Sequence, residues 1–241
     1  MIAADGMTLL AANVAILMSA IVQRGTGVGF AMVAVPLLAV FAPVFVPAPM
    51  LVVALVLSLA MIREGQGDIV RLEVSQLCIF IAVGTIGGGV LLASAPAQVM
   101  DLAFAAVILA GVAASLFMRA PGLTRESLAI GGVLTGVIGT ASGIHGPPLA
   151  LLYQAQPAEK TRATMSVVFT LAYTMSLTVL GLAGLFDTSD LISAAWLLPG
   201  MVAGWFLADP VRALAGPTVL RVAMLSIAAG DGGALLIRGI G

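Results

Sequence analysis

The sequence alternates between long hydrophobic runs and short polar or glycine- and proline-rich segments. Such interruptions mark the ends of apolar elements, and they divide the chain into ten runs. The runs lie at about 7–23, 25–42, 46–62, 72–93, 98–118, 126–138, 143–156, 163–185, 191–208 and 217–237. The runs 72–93, 98–118, 163–185 and 217–237 are long enough to cross about 30 Å of hydrocarbon as helices.

Two consecutive runs, 126–138 and 143–156, are too short for a full membrane span. They are joined by the segment 139–143 (GTASG) and followed by two prolines at 147 and 148. Glycine allows the backbone to turn, and proline interrupts a helix that precedes it. The pattern predicts a discontinuous helix or a re-entrant hairpin rather than two ordinary spans.

The chain contains an internal repeat. The pattern Gly-Thr-x-x-Gly begins at Gly25 and again at Gly139, which is 114 residues later. Further matches at offsets of 114 or 116 are Leu37-Leu38 with Leu151-Leu152, Pro43 with Pro157, and Gly84-x-x-x-Gly88 with Gly200-x-x-x-Gly204. We expect an N-terminal repeat over 1–120 and a C-terminal repeat over 121–241, which together form one transmembrane domain. The alternative is a chance alignment of two glycine-rich segments.

The composition indicates whether the surface of the folded protein faces water or lipid. Of 241 residues, 61% are hydrophobic and only 9% are charged, whereas about a quarter are charged in soluble domains. So few charged side chains cannot form the polar surface that a soluble protein of this size needs. Most of the surface must therefore face lipid. The sequence therefore predicts an all-α integral membrane protein with about 8–10 membrane helices, including broken or re-entrant ones.

The basic residues indicate how the two halves are oriented. When the ten runs are counted as alternating crossings, nine of the ten Lys and Arg residues fall on one side of the membrane. These nine are Arg24, Arg63, Arg71, Arg119, Arg125, Lys160, Arg162, Arg212 and Arg221. That side is the cytoplasm by the positive-inside rule, with both termini outside. Five runs per half is an odd number, so the second half is inverted, as in many secondary transporters.

A second topology is open for the runs 7–23 and 25–42. If they form a hairpin that enters and leaves from one side, all other sides are unchanged. Arg24 would then move from a cytoplasmic turn into the membrane. The segment 139–143 would be the tip of a second hairpin, and the two tips would meet from opposite faces.

Arg24 is a candidate functional residue because apolar residues flank it on both sides. An arginine in lipid is costly and is by default a functional hypothesis. Its guanidinium offers a planar fork of donors that suits a carboxylate, a sulfonate or a phosphate. The alternative is a positively charged anchor in a short cytoplasmic turn.

The two glycine-rich segments are candidate anion sites. A helix that restarts after a break directs unpaired N–H groups and the positive end of its dipole at a ligand. We therefore expect a small anion near the midplane, held between the two breaks; the alternative is that the glycines only allow tight helix packing. The candidate ligands in the breaks are Gly25, Thr26, Gly27, Gly29, Gly139, Thr140, Ser142 and Gly143.

His145 is the only histidine and lies three residues after Ser142. It could donate a hydrogen bond to a substrate oxygen or accept a proton during transport. The alternative is a structural histidine bonded to a backbone carbonyl. No deep carboxylate accompanies it, so the sequence predicts no proton relay.

Several classes of function and site are not expected. The formal net charge is −1 and no basic stripe is present, so we expect no nucleic-acid partner. Cys78 is the only cysteine and lies in an apolar run, which predicts an inert thiol, no metal site and no cofactor. The segment Met1 to Gly6 has no basic residue, so it does not read as a secretory signal and the first run should be retained.

Two blocks carry a resemblance to a known family. They are Gly25 to Phe30 leading to Val35-Pro36-Leu37-Leu38, and 139–150 (GTASGIHGPPLA). Nearly the whole chain resembles the TauE/SafE sulfite exporter family, also called the toluene sulfonate uptake permease (TSUP) family. The resemblance implies a transporter of sulfite, of C2 sulfonates such as sulfoacetate, isethionate or taurine, or of related anions. It also implies the bacterial cytoplasmic membrane, with lipid around the protein, and a homodimer. The chain has Pro49-Met50-Leu51 where the family commonly has Gly-Thr-Ser.

Two other classes of protein were weighed. An intramembrane serine protease using Ser142 and His145 would need a base oriented toward the hydroxyl and an oxyanion hole. The rhomboid pattern G-x-S-G fails at Thr140, so we expect no enzyme. An anion channel, or a transporter of another small anion such as a carboxylate, is the alternative function. A desolvated arginine suits an occluded binding site better than a channel.

Overall fold

The structure is a computed structural model that describes residues 5–64, 69–94, 121–240 and five isolated positions between 106 and 117. Beyond residue 216, side chains are described at only a few positions. All regular elements in these ranges are helices, and no strand occurs among them. The predicted all-α fold class is therefore confirmed.

Eight α-helices are described, and we number them in chain order. They are α1 (Gly6–Thr26), α2 (Phe30–Phe41), α3 (Ala48–Glu64), α4 (Arg71–Ser94), α5 (Arg125–Ser142), α6 (Gly146–Tyr153), α7 (Ala158–Leu182) and α8 (Thr188–Ile240). A short 3₁₀ turn, Pro43–Phe45, separates α2 from α3. The backbone of α8 is interrupted at Gly216, where φ is 71° and ψ is 164°.

Four of the described helices are long and apolar enough to cross a membrane: Gly6–Thr26, Arg71–Ser94, Ala158–Leu182 and Thr188–Gly216. The runs 72–93 and 163–185 were expected to span, and both are confirmed as such helices. The runs 7–23 and 191–208 form longer helices than their apolar parts predict, because polar residues at their ends continue the helix. The run 98–118 lies outside the continuously described residues.

Ion pairs gather at one end of the helices. In the last turn of α1, Arg24 pairs with Glu64 at the end of α3 and with Asp209 in α8, at 2.7 and 2.8 Å. In the first turns of α7 and α4, Lys160 pairs with Glu73 at 3.0 Å. We call this region the charged end. The residues of the charged end lie in or beside connections that the distribution of Lys and Arg in the sequence predicts on one side of the membrane.

Helices α4 and α5 pack closely side by side. A Cβ at Gly84 would lie 2.2 Å from the carbonyl oxygen of Val133, and a Cβ at Gly88 would lie 2.4 Å from that of Val137. Only glycine allows two helix backbones to approach this closely. Residue numbers increase together along the contact, so the two helices run in the same direction, away from the charged end.

Helices α1 and α8 repeat this arrangement. A Cβ at Gly200 would lie 2.3 Å from the carbonyl oxygen of Asn13, and a Cβ at Gly204 would lie 2.5 Å from that of Leu17. Asn13 also accepts a hydrogen bond from the N–H of Gly200 at 2.8 Å. These two helices run toward the charged end. Corresponding helices of the predicted halves thus run in opposite directions, as inverted repeats require. The division into two repeats stays a prediction that this geometry supports.

Candidate functional site

The first break separates α1 from α2. Helix α1 ends at Thr26, and Gly27 adopts a left-handed conformation with φ of 86° while its N–H donates to the carbonyl of Gln23. Gly29 has φ of 123° and precedes Phe30, the first residue of α2. A side chain at these positive φ values is strained, so glycine is required for this geometry.

Gln23 bridges the first break with its side chain. Its Oε1 accepts a hydrogen bond from the N–H of Phe30 at 2.9 Å, and its Nε2 donates to the carbonyl of Gly27 at 3.3 Å. The side chain is buried, as are Ala31 and Met32 in the first turn of α2. The N–H groups of Ala31 and Met32 have no acceptor within the described part of the chain. The start of α2 therefore presents two buried, unpaired donors.

The second break separates α5 from α6. Helix α5 ends at Ser142, and Gly143 has φ of 81° while its N–H donates to the carbonyl of Gly139. Helix α6 begins at Gly146. The discontinuous helix predicted for 126–156 is therefore present. By its φ value and its hydrogen bond, Gly143 corresponds to Gly27. These two glycines are 116 residues apart, whereas the Gly-Thr-x-x-Gly patterns align at an offset of 114.

The hydroxyls next to these glycines agree with the offset of 116. Thr26 donates to the carbonyl four residues earlier at 2.9 Å and accepts from the N–H two residues later at 3.2 Å. Ser142 makes the same two bonds at 2.8 and 3.1 Å. Thr26 therefore corresponds to Ser142 and not to Thr140. Both hydroxyls cap the end of a helix in this conformation.

His145 fills the second break. Its Nδ1 lies 3.3 Å from the carbonyl oxygen of Gly143, and its Nε2 lies 3.0 Å from Ser176 Oγ in α7. Ser176 also bonds to Thr140 at 2.7 Å. The imidazole stands edge-on to Tyr173 with ring centroids 4.9 Å apart. All four side chains are buried, so His145 belongs to a satisfied polar network that joins α5 to α7.

The two breaks touch each other. A Cβ at Gly146 would lie 3.2 Å from Met32 Cγ and 3.6 Å from Val28 Cγ1. The first residue of α6 therefore lies against the first break and the first turn of α2. The two chain interruptions are therefore in contact, whereas the hairpin topology that would place Arg24 inside the membrane stays a prediction.

The start of α6 differs from that of α2 in its donors. Pro147 and Pro148 occupy the second and third positions of α6, and proline has no N–H. The N–H of Ile144 is already bonded to Ser142. Among the described residues, the second break therefore has an unbonded N–H at Gly146, while both ring nitrogens of His145 already have partners.

Arg24 lies at the charged end rather than between the breaks. Its Nε and Nη2 donate to the two carboxylate oxygens of Glu64 at 3.0 and 2.7 Å, and its Nη1 donates to the carbonyl of Trp205 at 2.8 Å. Asp209 approaches Nη2 at 2.8 Å, and the guanidinium stacks 4.4 Å from the centre of the Trp205 ring. This placement agrees with the cytoplasmic-turn alternative. The role of Arg24 as an anion ligand stays a prediction.

Sequence reasoning did not single out several residues of this region. Gln23 and Ser176 are polar residues in apolar runs, which the pattern alone does not rank. Glu64 and Asp209 lie 40 and 185 residues from Arg24, so their pairing needs the folded chain. Gly25 and Gly139 lie in the last turns of α1 and α5 rather than in the breaks themselves. Within the described ranges, no group of three or more His, Cys, Asp or Glu side chains is arranged to hold a metal.

Comparison with known proteins identifies the family. A family model described as "Sulfite exporter TauE/SafE" matches residues 12–234. A curated relative from Cupriavidus necator, named "Probable sulfite/organosulfonate exporter TauE", is 26% identical over 154 residues, which are 62% of this chain and 60% of the relative. The match thus covers less than two thirds of the relative's length. No solved structure matches. Both descriptions name exporters rather than enzymes, and the family match covers most of this multi-pass membrane protein. The chain belongs to the TauE/SafE sulfite exporter family.

Proposed function

We propose that this protein is a secondary transporter that moves a small organosulfur anion across the bacterial cytoplasmic membrane by alternating access. The substrate class is sulfite or a C2 sulfonate such as sulfoacetate, isethionate or taurine. One observation carries the proposal beyond family membership. The two breaks meet at the start of α2, where Ala31 and Met32 present buried N–H groups without an acceptor in the described structure.

An anion at this position would be stabilised in two ways. Unpaired N–H groups at a helix start donate to oxyanions, and the dipole of the helix favours negative charge there. Gly27 and Gly29 leave the backbone uncovered by side chains, so a ligand can approach it closely. On the other side of the contact, Gly146 supplies a further N–H, and His145 can donate to the anion only if it gives up its bond to Gly143 or to Ser176. The other predicted ligands at Gly25, Thr26, Gly139, Thr140, Ser142 and Gly143 shape this site as parts of the helix ends.

Arg24 has a conditional place in the proposal. Both oxygens of Glu64 and one oxygen of Asp209 occupy its fork in this conformation. An anionic substrate can bind Arg24 only if it displaces one of these carboxylates. We therefore assign any contact between Arg24 and the substrate to a second conformation, in which the charged end is open. We also propose that the protein assembles as a homodimer.

Transport by purified protein in liposomes tests the proposal. Vesicles preloaded with unlabelled sulfite should accumulate labelled sulfite by counterflow, and isethionate, sulfoacetate or taurine should compete. A channel shows no such acceleration by substrate on the opposite side, so its absence would favour the channel alternative. Competition by small carboxylates alone would instead favour the other-anion alternative. Absence of flux for every anion in the panel would refute the proposed function.

Two charge substitutions test where the anion binds. In Gln23→Glu, a carboxylate replaces the amide that accepts from Phe30, so negative charge occupies the start of α2 and should repel the substrate. We expect sulfite affinity to fall by at least about 10-fold, which corresponds to roughly 1.4 kcal/mol. Gln76→Glu adds the same charge to α4 and serves as the control. Equal affinities in the two variants would remove the breaks from the site.

Arg24→Ala tests the conditional ligand. If Arg24 binds substrate during the cycle, the variant should lose binding of a C2 sulfonate such as isethionate in purified protein. Unchanged affinity would show that the ion pairs of Arg24 serve only the structure.

A further inference from the structure

A second arginine lies beside the first break, and no carboxylate in the described part of the chain is bound to it. Arg162 lies in the second turn of α7 and is half-buried. A Cβ at Gly27 would lie 2.8 Å from the Cα of Arg162 and 3.1 Å from its Cγ. The backbone and the first part of the Arg162 side chain therefore pack directly on the left-handed glycine that ends α1.

Arg24 and Arg162 differ in their partners. Arg24 has two carboxylates and one backbone carbonyl on its fork. Among the ion pairs and hydrogen bonds of the described residues, none involves Arg162. Asp209, one of the two carboxylates whose charges act on Arg162, is already shared between Arg24 and Arg212.

The surroundings of Arg162 contain charges of both signs but, among the residues that the structure describes, no bonded partner. The charges that act on it are those of Arg212 and Arg24, which repel it, and those of Glu159 and Asp209, which attract it. A half-buried guanidinium has five N–H donors and loses part of its hydration. Such a group is stabilised when an oxyanion binds it, and a bidentate pair is the strongest form of that contact.

We propose that Arg162 is the cationic ligand that binds the oxyanion group of the substrate at the first break, a role that rests on the proposed function. The ligand class is a small anion with at least two oxygens on one centre, such as sulfite, a sulfonate or a carboxylate. The planar fork of arginine matches two such oxygens. Arg162 differs from Arg24 in that no carboxylate has to leave before the anion binds.

Affinity measurements on purified protein test this assignment. In Arg162→Gln, the dissociation constant for sulfite should rise by about 10-fold or more, because a bidentate, charge-assisted contact is lost. Arg162→Lys keeps the charge without the fork and should give an intermediate affinity. Arg63→Gln and Arg212→Gln remove a charge from the same end of the molecule and should bind sulfite within about 3-fold of the unmodified protein.

Thermal unfolding without ligand distinguishes a loss of substrate binding from a loss of stability. Arg162→Gln should unfold at the same or a higher temperature than the unmodified protein without ligand, because no bonded partner is lost. Arg24→Gln should unfold at a lower temperature, because Glu64 loses its partner and Asp209 keeps only Arg212. A large loss of stability in Arg162→Gln would show that Arg162 has a structural role and would overturn the assignment.

The phosphate of an anionic lipid headgroup is also an oxyanion, and it is the alternative ligand for Arg162. The affinity for sulfite is therefore measured in nanodiscs of neutral phosphatidylcholine and in nanodiscs that also contain phosphatidylglycerol. If Arg162→Gln changes only the dependence on anionic lipid, the inference is overturned and Arg162 binds headgroups. If Arg162→Gln binds sulfite normally while the unmodified protein transports it, the inference fails and the proposed function stands. If the unmodified protein transports no anion, the proposed function itself fails.

Discussion

The two chain breaks share their backbone geometry but not the side chain that fills them. In the first, Gln23 reaches forward from α1, four residues before the left-handed Gly27. In the second, His145 reaches back from two residues after the left-handed Gly143. At an offset of 116, the position of Gln23 is taken by Gly139 and the position of His145 by Gly29. Besides its capping hydroxyl, each break thus contains one polar side chain, which comes from before the left-handed glycine in the first break and from after it in the second.

This difference decides what each break can bind. Among the described residues, Gln23 bonds to one N–H of α2 and two others have no acceptor, whereas Pro147 and Pro148 remove two donors from α6. The first break therefore retains backbone donors for an anion, and the second relies on a side chain that Ser176 already holds. Two elements with the same backbone can have different chemistry because substitutions on either side of the break change which donors are free.

The largest loss of stability is expected where a new side chain would overlap with the imidazole of His145. In Gly139→Ala, the new Cβ would lie 2.1 Å from His145 Cδ2, and neither the buried ring nor the helix can move far. We expect a loss of at least about 3 kcal/mol of stability, or no folded protein. Size-exclusion chromatography and thermal unfolding in detergent measure it. The double variant with His145→Ala should recover folding, and a double variant as unstable as the single one would contradict the comparison.

The next effect concerns the bridge across the first break. Gln23→Leu keeps a side chain of similar size but removes the acceptor for Phe30, so a third N–H of α2 is left unpaired. A buried unsatisfied group costs about 1–3 kcal/mol. Denaturant unfolding in detergent measures the loss. Gln76→Leu makes the same substitution at a partly exposed position of α4 and is the control. An equal loss in both variants would show that the hydrogen bonds of Gln23 do not stabilise the break.

A smaller effect is expected at Gly29, where the first break has glycine and the second has His145. Its φ of 123° is unfavourable for any side chain, and Gly29→Ala should cost about 1–2 kcal/mol through backbone strain. Gly87→Ala is the matched control because its Cβ would make an ordinary contact of 3.6 Å with Val137. The melting temperatures of the two variants give the measurement. Equal melting temperatures would mean that the strain is relieved by a change of the backbone.

The smallest effect tests the correspondence of the two capping hydroxyls. Thr26→Val and Ser142→Ala each remove one acceptor for a backbone N–H at a helix end and should each cost about 1 kcal/mol. Thr174→Val is the control, because that exposed hydroxyl only donates to the carbonyl four residues earlier. Similar shifts in melting temperature for the first two variants would support the offset of 116. A loss at only one of them would contradict it.

Local patterns in the sequence account for much of the fold. Apolar run length predicted α4 and α7, because a long hydrophobic helix is stabilised by its own backbone bonds and by lipid. Glycine and proline around 139–148 predicted the break between α5 and α6, since both residues act on the backbone locally. The distribution of Lys and Arg predicted which helix ends lie together. These signals need no knowledge of distant contacts.

The details of the site depend on contacts that a pattern does not contain. The Gly-Thr-x-x-Gly match aligned Thr26 with Thr140, but the left-handed conformation falls on Gly27 and Gly143 because each follows a hydroxyl that can cap the helix end. A search for a hydroxyl residue directly before glycine finds this register together with a third pair, Thr135-Gly136, which lies inside α5. The carboxylates on Arg24 and the absence of one on Arg162 arise from helix packing, which brings distant segments together.

The two ion-pair groups of the charged end divide the helices that reach it. Arg24, Glu64 and Asp209 fasten α1, α3 and α8 to one another. Glu73 accepts from Lys160 at 3.0 Å and from the hydroxyl of Tyr153 at 2.9 Å, which fastens α4, α7 and α6. No ion pair described here joins one group to the other. Helices α3 and α7 contact each other. If this end opens during the proposed transport cycle without breaking either group, the two sets of helices would move apart as units and α3 would slide along α7. A crosslink between α3 and α7 would stop that movement, whereas a crosslink between α1 and α8 would leave it free.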